Sequence, residues 1–201
     1  MDDDGKDNLA DRTGSLGGLD GLLRAAGTAT GPRPVEAWNP PYCGDIGLAI
    51  GADGGWTYQG SPIGRQALVK LFASILRKDA DGKTYLVTPA ERVDVHVADA
   101  PFLAVEMAVM GEGRGQSLTF RTNIDDVVRV DAGHRLRFVR QKPTGGLKPY
   151  ILVRGRLEAL VTRAVHADLM ALAVPHGDAG PTDQTGPLGV WSGGVWWRLE
   201  T

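Results

Sequence analysis

The sequence predicts an α+β fold of two pseudo-repeated subdomains, each an antiparallel hairpin packed against one amphipathic helix. Two observations predict this fold, and both are repeats within the chain. The apolar positions of a strand–turn–strand segment recur at a constant offset of 80, where Leu48, Ile50, Trp56 and Tyr58 correspond to Val128, Val130, Leu136 and Phe138. A helical pattern follows each segment at an offset of 89, where Arg65, Leu68, Leu71, Phe72, Ile75 and Leu76 correspond to Arg154, Leu157, Leu160, Val161, Ala164 and Val165.

The start of the chain differs in composition from the rest. Residues 1–18 are acidic and polar, and they predict a disordered tail. We expect an N-terminal subdomain over 19–86 and a C-terminal subdomain over 87–201. The first subdomain opens with a predicted short helix that ends at Gly27, because helical spacing relates Leu19, Leu22, Leu23 and Ala26.

The first repeat begins with two predicted strands, 46–50 and 56–60, around a turn of residues that tolerate positive φ. Ser61 and Pro62 are typical of a helix start, the first as N-cap and the second at the first helical position. The apolar residues that follow have i, i+3, i+4, i+7 spacing, which predicts a helix over 62–77 with one buried face.

The middle of the chain is predicted to form strands over 83–87, 93–97, 102–109 and 117–122, from alternating or short apolar runs between turns. The residues from Thr88 to Glu91 have the spacing of a capping box, which predicts one helical turn there.

The second repeat is predicted to form a hairpin from strands 127–130 and 135–140. An exposed loop over 141–149 and a helix over 156–173 follow. A last hairpin over 190–199 closes the chain.

The composition excludes several classes of protein. An apolar content of 42% is enough for a core, and a net charge of -2 argues against nucleic acid as a partner. Cys43 is the one cysteine, so no internal disulfide forms and a reducing compartment fits best. The acidic N-terminus does not resemble a signal peptide, and no apolar run approaches a membrane span of about 18 residues. We therefore expect a cytoplasmic protein without a membrane or nucleic-acid partner.

Several motifs resemble those of one bacterial family, the domain of unknown function 1285 family. The resemblance extends from about Trp38 to Arg163. Its motifs are Gly60-Ser61-Pro62-Ile63, Leu86-Val87-Thr88-Pro89, Asp99-x-Pro101-Phe102 and Pro149-Tyr150-Ile151-x-Val153-Arg154. The resemblance implies an α+β fold of two similar subdomains and an association with signal transduction. It implies no catalytic residues.

Arg65 and Arg154 occupy matching positions near the predicted starts of the two helices. A cation there opposes the helix dipole, so a negative group should offset it. One interpretation is a bound anion, held by the two arginines and the free N–H groups of the helix ends. The other is an internal ion pair that joins the subdomains, with Glu91, Glu158 or Asp99 as the partner.

The aromatic residues also allow two interpretations. Trp56 and Tyr58 could provide apolar contacts to a ligand, or they could belong to the core or the subdomain interface. Trp196 and Trp197 are adjacent in a predicted strand and therefore point in opposite directions, which suggests a homodimer contact.

Residues that could support catalysis or bind a metal have simpler interpretations. Cys43 would need a neighbouring histidine to act as a nucleophile, and a small structural residue is the alternative. The acidic group of Asn123, Asp125, Asp126 and Asp131 lacks calcium-loop spacing and fits a solvated turn. We expect no metal, no cofactor and no catalytic residue.

These observations favour a soluble module that binds a small, anionic ligand at the junction of the subdomains, with Arg65, Arg154, Trp56 and Tyr58 as ligand-binding residues. Interfaces between duplicated units are common places for such sites. A homo-oligomeric interaction scaffold and a hydrolase-type enzyme are the alternatives.

Overall fold

The computed structural model describes residues 33–176 and 186–199, which form an α+β fold with two six-stranded sheets and a three-stranded sheet. The strands are β1 (Leu48–Ile50), β2 (Trp56–Tyr58), β3 (Ser61–Pro62), β4 (Leu76–Lys78), β5 (Thr84–Val87), β6 (Arg92–Val97), β7 (Phe102–Met110), β8 (Ser117–Thr122), β9 (Val127–Arg129), β10 (Leu136–Arg140), β11 (Leu147–Arg154), β12 (Leu157–Val161), β13 (Val174–Pro175), β14 (Leu188–Ser192) and β15 (Val195–Arg198). The helices are α1 (Gln66–Ser74) and α2 (Arg163–Ala171), and 3-10 turns cover Val35–Ala37 and Gly113–Gly115. The predicted tail and the helix predicted before Gly27 lie outside the described residues.

The two large sheets have the same topology. Their strand orders are β3-β2-β1-β6-β5-β4 and β10-β11-β12-β7-β8-β9. With the strands numbered 1 to 6 within each unit, the first order is 3-2-1-6-5-4. The second is the same order when it is read from its other edge, β9 to β10. The first strand of each unit pairs in parallel with the last, and the other pairings are antiparallel. The predicted two-part α+β architecture is therefore confirmed, but the sheets are mixed rather than antiparallel.

The duplicated unit is not the one that the sequence spacing indicates. β1 and β2 form the predicted hairpin, with Leu48 opposite Tyr58. β9 and β10 contain the matching positions, but they lie at opposite edges of the second sheet and do not pair. The prediction of a second hairpin is wrong because two short apolar strands around a turn do not specify their partners. Residues 130–135 join these edges and span at most about 20 Å, so the second sheet must curl.

The units meet at residues 98–101, between β6 and β7. The predicted boundary after residue 86 would leave β6 in the second unit. Instead, β6 lies in the middle of the first sheet, between β1 and β5.

Both helices are shorter than predicted, and they occupy different places in the two units. α1 lies between β3 and β4, because Ser61 and Leu76 belong to strands rather than to the helix. α2 follows β12, since the residues predicted to start the second helix form a strand instead. Thr88 accepts hydrogen bonds from the backbone of Ala90 and Glu91, but this turn is not helical. Within the described part of the chain, no helix is long and apolar enough to cross a membrane.

The two units share one hydrophobic core. Phe72 of α1 and Phe102 of β7 are both 0% exposed and belong to the same cluster of buried residues. Further members from the two units are Leu48, Ile50, Leu76, Leu86, Phe120, Ile151, Leu157 and Leu169. Because the cluster is continuous, the units are packed against each other as a single body.

A buried arginine fixes the segment that precedes the first sheet. Arg77, on β4, is 6% exposed. Its Nη1 donates to the carbonyl oxygens of Val35 at 2.9 Å and Trp38 at 2.6 Å. Its Nε and Nη2 donate to the two carboxylate oxygens of Asp79 at 2.6 and 3.1 Å. Asp79 also accepts a hydrogen bond from Arg92 at 2.9 Å.

The last hairpin joins the second sheet through a buried serine. β14 and β15 pair as predicted, with β13 added at the edge. Ser192 is 0% exposed, and its Oγ accepts from the backbone N–H of Leu118 at 2.9 Å. The same Oγ donates to the carbonyl oxygen of Val130 at 2.7 Å. Ser192 therefore satisfies two backbone groups in the second sheet.

The turn between β2 and β3 contains a residue in an unfavourable conformation. Gln59 has a φ of 47° and Gly60 a φ of 78°, and Tyr58 lies opposite Ser61 across this two-residue loop. Positive φ at both central positions is typical of a type I′ turn, for which Asn-Gly is the preferred pair. Glutamine rarely adopts a left-handed conformation.

We expect Gln59→Asn to raise the free energy of unfolding by about 0.5–1 kcal/mol, because asparagine tolerates positive φ better. Urea unfolding followed by tryptophan fluorescence measures the change. Gly60→Ala is the matched comparison. It has space for the added carbon but the wrong φ, so it should destabilise the protein. A loss of stability in Gln59→Asn would contradict the assigned turn.

Candidate functional site

A cleft with a volume of about 480 Å³ lies at the junction of the two units. We call it the junction cleft. The first unit and the segment before it contribute Arg33, Val35, Lys70 and Ser74. The second unit contributes Ile124, Asp126, Val127, Val128, His134, Val153 and Arg154. The junction therefore contains a cleft of the size that small-molecule sites usually have.

Polar contacts from one face of α1 form the wall of this region. Gln66 donates from Nε2 to the carbonyl oxygen of Asn123 at 3.2 Å. One turn later, Lys70 forms an ion pair with Asp125. The carbonyl oxygen of Ala73, in the last turn, accepts a hydrogen bond from the second unit. Positions i, i+4 and i+7 lie on the same side of a helix, so these contacts follow one stripe.

Arg154 spans the junction from the end of β11. Its Nη1 donates to Asp126 Oδ2 at 2.5 Å, and its Nη2 donates to the carbonyl oxygen of Ala73 at 2.6 Å. The guanidinium carbon lies 4.9 Å from the centroid of the Phe102 ring. A cation at a helix C-terminus interacts favourably with the helix dipole, so Arg154 stabilises the end of α1.

This geometry corrects two expectations about Arg154. It ends a strand and does not start a helix, because residues 157–161 pair with β7 and β11. The ion-pair interpretation is observed, but the partner is Asp126 rather than Glu91, Glu158 or Asp99. Glu158 pairs with Arg137.

Asp99, from the connection between the units, accepts hydrogen bonds from Lys148 at 2.6 Å and Tyr150 at 2.7 Å. Burial raises the pKa of Asp99, but the hydrogen bonds from Lys148 and Tyr150 outweigh it and hold the pKa below its usual range. The connection is therefore tied to the second sheet by an ionised carboxylate.

The turn between β8 and β9 carries the charges at the cleft edge. Asp125 has a φ of 67°, which aspartate tolerates better than most residues do. Hydrogen bonds from Lys70 and then Arg121 hold the pKa of Asp125 below its usual range. Asp125 is therefore ionised at neutral pH and fixes Lys70 beside the cleft.

The four predicted ligand-binding residues do not come together in the junction cleft. Arg65 is the N-cap of α1 and is exposed. Arg154 contacts Ala73 at the other end, so about 12 Å of helix separates the two arginines. Trp56 is 3% exposed and packs on Phe72, with ring centroids 6.0 Å apart. Tyr58 is half-buried on the same strand, and its hydroxyl accepts a hydrogen bond from Gln59 at 3.3 Å.

The residues on which the homo-oligomer and hydrolase hypotheses depend make contacts within the protein. Trp196 packs over Gly189, where a Cβ would lie 2.3 Å from the indole, and its ring centroid is 4.4 Å from that of His176. Trp197 donates from Nε1 to the carbonyl oxygen of Ser192 at 3.3 Å. Cys43 is exposed, and its Sγ lies 3.7 Å from the carbonyl oxygen of Pro41. A homodimer stays a prediction, and no described contact activates Cys43 as a nucleophile.

Sequence reasoning missed Arg33, Lys70 and His134 as cleft residues. Lys70 could have been found from its position on α1, one turn after Gln66 on a face without large apolar residues. Arg33 and His134 carry no such signal, because each lies in an irregular segment that only the fold brings to the cleft.

A second depression, of about 500 Å³, lies on the first unit alone. Asp53 and His96 are the ionisable residues that line it, and His96 is paired with Asp45 at 2.8 Å. The lining of the junction cleft therefore has more ionisable residues than this depression has, and both units contribute to it.

Comparisons with known proteins give consistent results. A family model described as "Domain of unknown function (DUF1285), N-terminal domain" matches residues 33–100, and one described as "Protein of unknown function (DUF1285), C-terminal domain" matches residues 101–199. The division between them coincides with the connection between the two sheets. No curated protein matches the chain.

Two solved structures are similar to the chain. One is a DUF1285 family protein from Silicibacter pomeroyi DSS-3, with 43% identity, a TM-score of 0.79, and coverage of 90% of this chain and 94% of that chain. The other is a DUF1285 family protein from Shewanella baltica OS155, with 27% identity, a TM-score of 0.49, and coverage of 63% of this chain and 91% of that chain.

Proposed function

The chain belongs to the DUF1285 family, and on that premise we propose that it is a non-enzymatic module that binds a small anionic ligand in the junction cleft. The observation that carries the proposal is the composition of the cleft wall. Arg33, Lys70, His134 and Arg154 line the cleft together with one carboxylate, Asp126, and several apolar side chains. Lys70 and His134 are paired with Asp125 and Asp131, which lie outside the lining. Cationic groups around an apolar pocket favour a ligand with a carboxylate or phosphate group and an apolar part.

The apolar floor supports this ligand class. It consists of Val35, Ile124, Val127, Val128 and Val153. Val127 is 68% exposed, which is high for an apolar side chain in a sheet. A ligand that covered it would gain about 25 cal/mol for each Å² of apolar surface removed from water.

The arrangement of Arg154 also supports the proposal. Its contacts with Asp126 and Ala73 fix the guanidinium at the junction before any ligand arrives. A preorganised donor loses little conformational freedom on binding, which favours affinity. An anionic group on the ligand would compete with Asp126 for this guanidinium.

Binding between the units would suit a sensory role in signal transduction. A ligand that contacts both α1 and the second sheet would stabilise the closed conformation of the cleft edge, while the shared core keeps the units together. Occupancy of the cleft would then lower the population of conformations in which that edge is locally open.

A thermal-shift screen of carboxylates and phosphates tests the proposal. A ligand present at about 100 times its dissociation constant adds about 2.7 kcal/mol of stability, which raises Tm by several degrees. We expect Arg154→Gln to reduce the shift given by a hit, measured against the variant's own Tm. Arg156→Gln is the matched control, because Arg156 is exposed nearby but does not line the cleft.

A second variant keeps the test independent of the Arg154 ion pair. Val127→Glu places a negative charge on the exposed cleft floor and should weaken binding of an anionic hit. Val139→Glu makes the same change at a 37% exposed position outside the cleft lining and should not. The cleft would not be the site if no compound raised Tm. It would also not be the site if a hit raised Tm equally in Arg154→Gln and Arg156→Gln, or in Val127→Glu and Val139→Glu.

A further inference from the structure

We infer that the ligand of the junction cleft is a short extended peptide with a free C-terminal carboxylate, which adds as an antiparallel strand to the edge of β9. The peptide occupies the cleft described above, so its assignment rests on the function proposed for that cleft. Strand addition is a common way for a protein with an open sheet edge to bind a peptide.

One side of β9 has backbone groups that no described residue satisfies. β9 is an edge strand of the second sheet, and β8 is its neighbour on the other side. Asp126 and Val130, at its two ends, form backbone hydrogen bonds with β8. Because bonded residues alternate along an antiparallel strand, the N–H and C=O groups of Val127 and Arg129 point away from β8. This edge can therefore accept hydrogen bonds from an additional strand and donate to it.

The junction cleft extends along this free edge. Asp126, Val127 and Val128 all line the cleft, although consecutive residues of a strand point to opposite faces of the sheet. A cleft that contacts three residues in a row therefore reaches the edge of the strand. Lys70 and Ser74, about one turn apart on α1, line the cleft from the first unit. The cleft is thus a groove between a helix and an edge strand.

The dimensions of the groove suit a short extended segment. β9 has three residues, and an antiparallel strand advances about 3.4 Å per residue, so its edge is about 10 Å long. About four residues of an extended chain cover an edge of this length. Val127 is 68% exposed and offers an apolar contact to side chains on one face of such a chain.

The charges of the cleft favour a ligand with one carboxylate over a polyanion. Lys70, His134 and Arg154 each contact a carboxylate of the protein, which offsets most of their positive charge. A guanidinium has five N–H donors, and the contacts of Arg154 with Asp126 and Ala73 use two of them. Arg154 can therefore donate to one further anionic group, while the edge of β9 binds the amide groups that precede it.

The position of Arg154 sets the direction of the peptide. Arg154 contacts Asp126, which directly precedes β9, so its guanidinium lies at the N-terminal end of this strand. The C-terminus of an added antiparallel strand lies at the same end. Its terminal carboxylate therefore meets Arg154. A parallel peptide would place its carboxylate at the other end of β9, beyond the residues that line the cleft.

Peptide binding to the full chain tests the inference. The probe is a pool of acetylated tetrapeptides that are random at each position except for the absence of proline and cysteine. The best-binding member is then titrated by calorimetry. We expect its C-terminal amide to bind about tenfold more weakly, because the amide loses a charge-assisted hydrogen bond.

Replacement of one peptide amide at a time by an ester removes a single N–H donor from the ligand. In an antiparallel ladder only alternate residues bond to β9, so we expect esters to weaken binding by about five- to tenfold at alternate positions and to have little effect between them.

A pair of protein variants tests the same contact from the other side. Val127→Pro removes an N–H group that points away from β8, so the ladder with β8 is kept. Val127→Ala shortens the side chain but keeps the N–H group. We expect Val127→Pro to bind the tetrapeptide at least fivefold more weakly than Val127→Ala does.

Strand addition would be overturned if no member of the pool bound, if esters weakened binding at every position or at none, or if the two variants bound the tetrapeptide equally. The two proposals fail separately. A carboxylate or phosphate hit in the thermal-shift screen, with no peptide bound, would overturn the peptide and leave the anionic ligand. Equal binding of the tetrapeptide and its C-terminal amide would overturn the anionic ligand, while an alternating ester effect would still support strand addition.

Discussion

Replacement of Arg77 by methionine should lower the free energy of unfolding by about 2–4 kcal/mol, because it removes a buried guanidinium and leaves its acceptors without their donor. Arg77 is 6% exposed and donates to three different residues. Methionine fills much of the same space but donates nothing. The carbonyl oxygens of Val35 and Trp38 would then be left without this donor, and Asp79 would keep only its bond from Arg92.

Equilibrium unfolding in urea measures this loss, with circular dichroism and tryptophan fluorescence as two probes. Lys78→Met is the control, because Lys78 is the next residue on β4 and is only half-buried. Arg77→Lys should fall between the two, since lysine keeps the charge but cannot make the forked bond to Asp79. A loss below about 1 kcal/mol in Arg77→Met would mean that the buried guanidinium is not needed for stability.

Ser192→Ala should cost about 2–4 kcal/mol, because it removes one side chain that satisfies two buried backbone groups. The N–H of Leu118 would lose its acceptor, and the carbonyl oxygen of Val130 would lose its donor. The site is 0% exposed and is closed by packing, so water cannot easily replace the hydroxyl.

The same unfolding measurement tests Ser192→Ala, with Ser61→Ala as the control at an exposed position. Hydrogen exchange at Leu118 gives a local readout, and this amide should exchange faster in the variant. If Ser192→Ala and Ser61→Ala had equal stabilities, the last hairpin would not be joined to the second sheet through Ser192.

The strands in the middle of the chain were predictable because their signals are local. β5 to β8 have short apolar or alternating patterns that end at turns, and the structure has strands at all four places. The last hairpin has the same kind of signal, two apolar strands around Gly193 and Gly194.

The helix ends were not predictable from spacing alone. Ile75 and Leu76 continue the helical pattern of α1, yet Leu76 starts β4, and both are 0% exposed. The positions of Leu157, Ala159 and Val161 fit a strand period of two, and the first and last of them also fit a helical period. Pairing with β7 and β11 decides between these possibilities, and those partners are distant in sequence.

The candidate site was predictable only in part. Sequence reasoning placed Arg154 in a ligand site at the junction; the structure has a cleft there that Arg154 lines, and binding of a ligand to it stays a prediction. Arg65 does not share the cleft, because the assumed equivalence with Arg154 depended on a second helix that starts later in the chain. The partner of Arg154 could not be chosen from sequence, since several carboxylates were available and the curl of the second sheet brings Asp126 to it.

The pairing of first and last strands has a consequence for synthesis on the ribosome. Neither sheet can be completed by a growing chain until its sixth strand has emerged, because that strand lies between the two halves of the sheet. For the first unit this requires residues up to Val97. Until then the three strands β1–β3 and the hairpin β4–β5 are separate and have unpaired edges. Closing the loop that joins β1 to β6 costs about 3 kcal/mol in chain entropy. The nascent N-terminal unit should therefore expose unpaired strand edges until β6 is released, and its apolar face should stay open until the second unit packs on it.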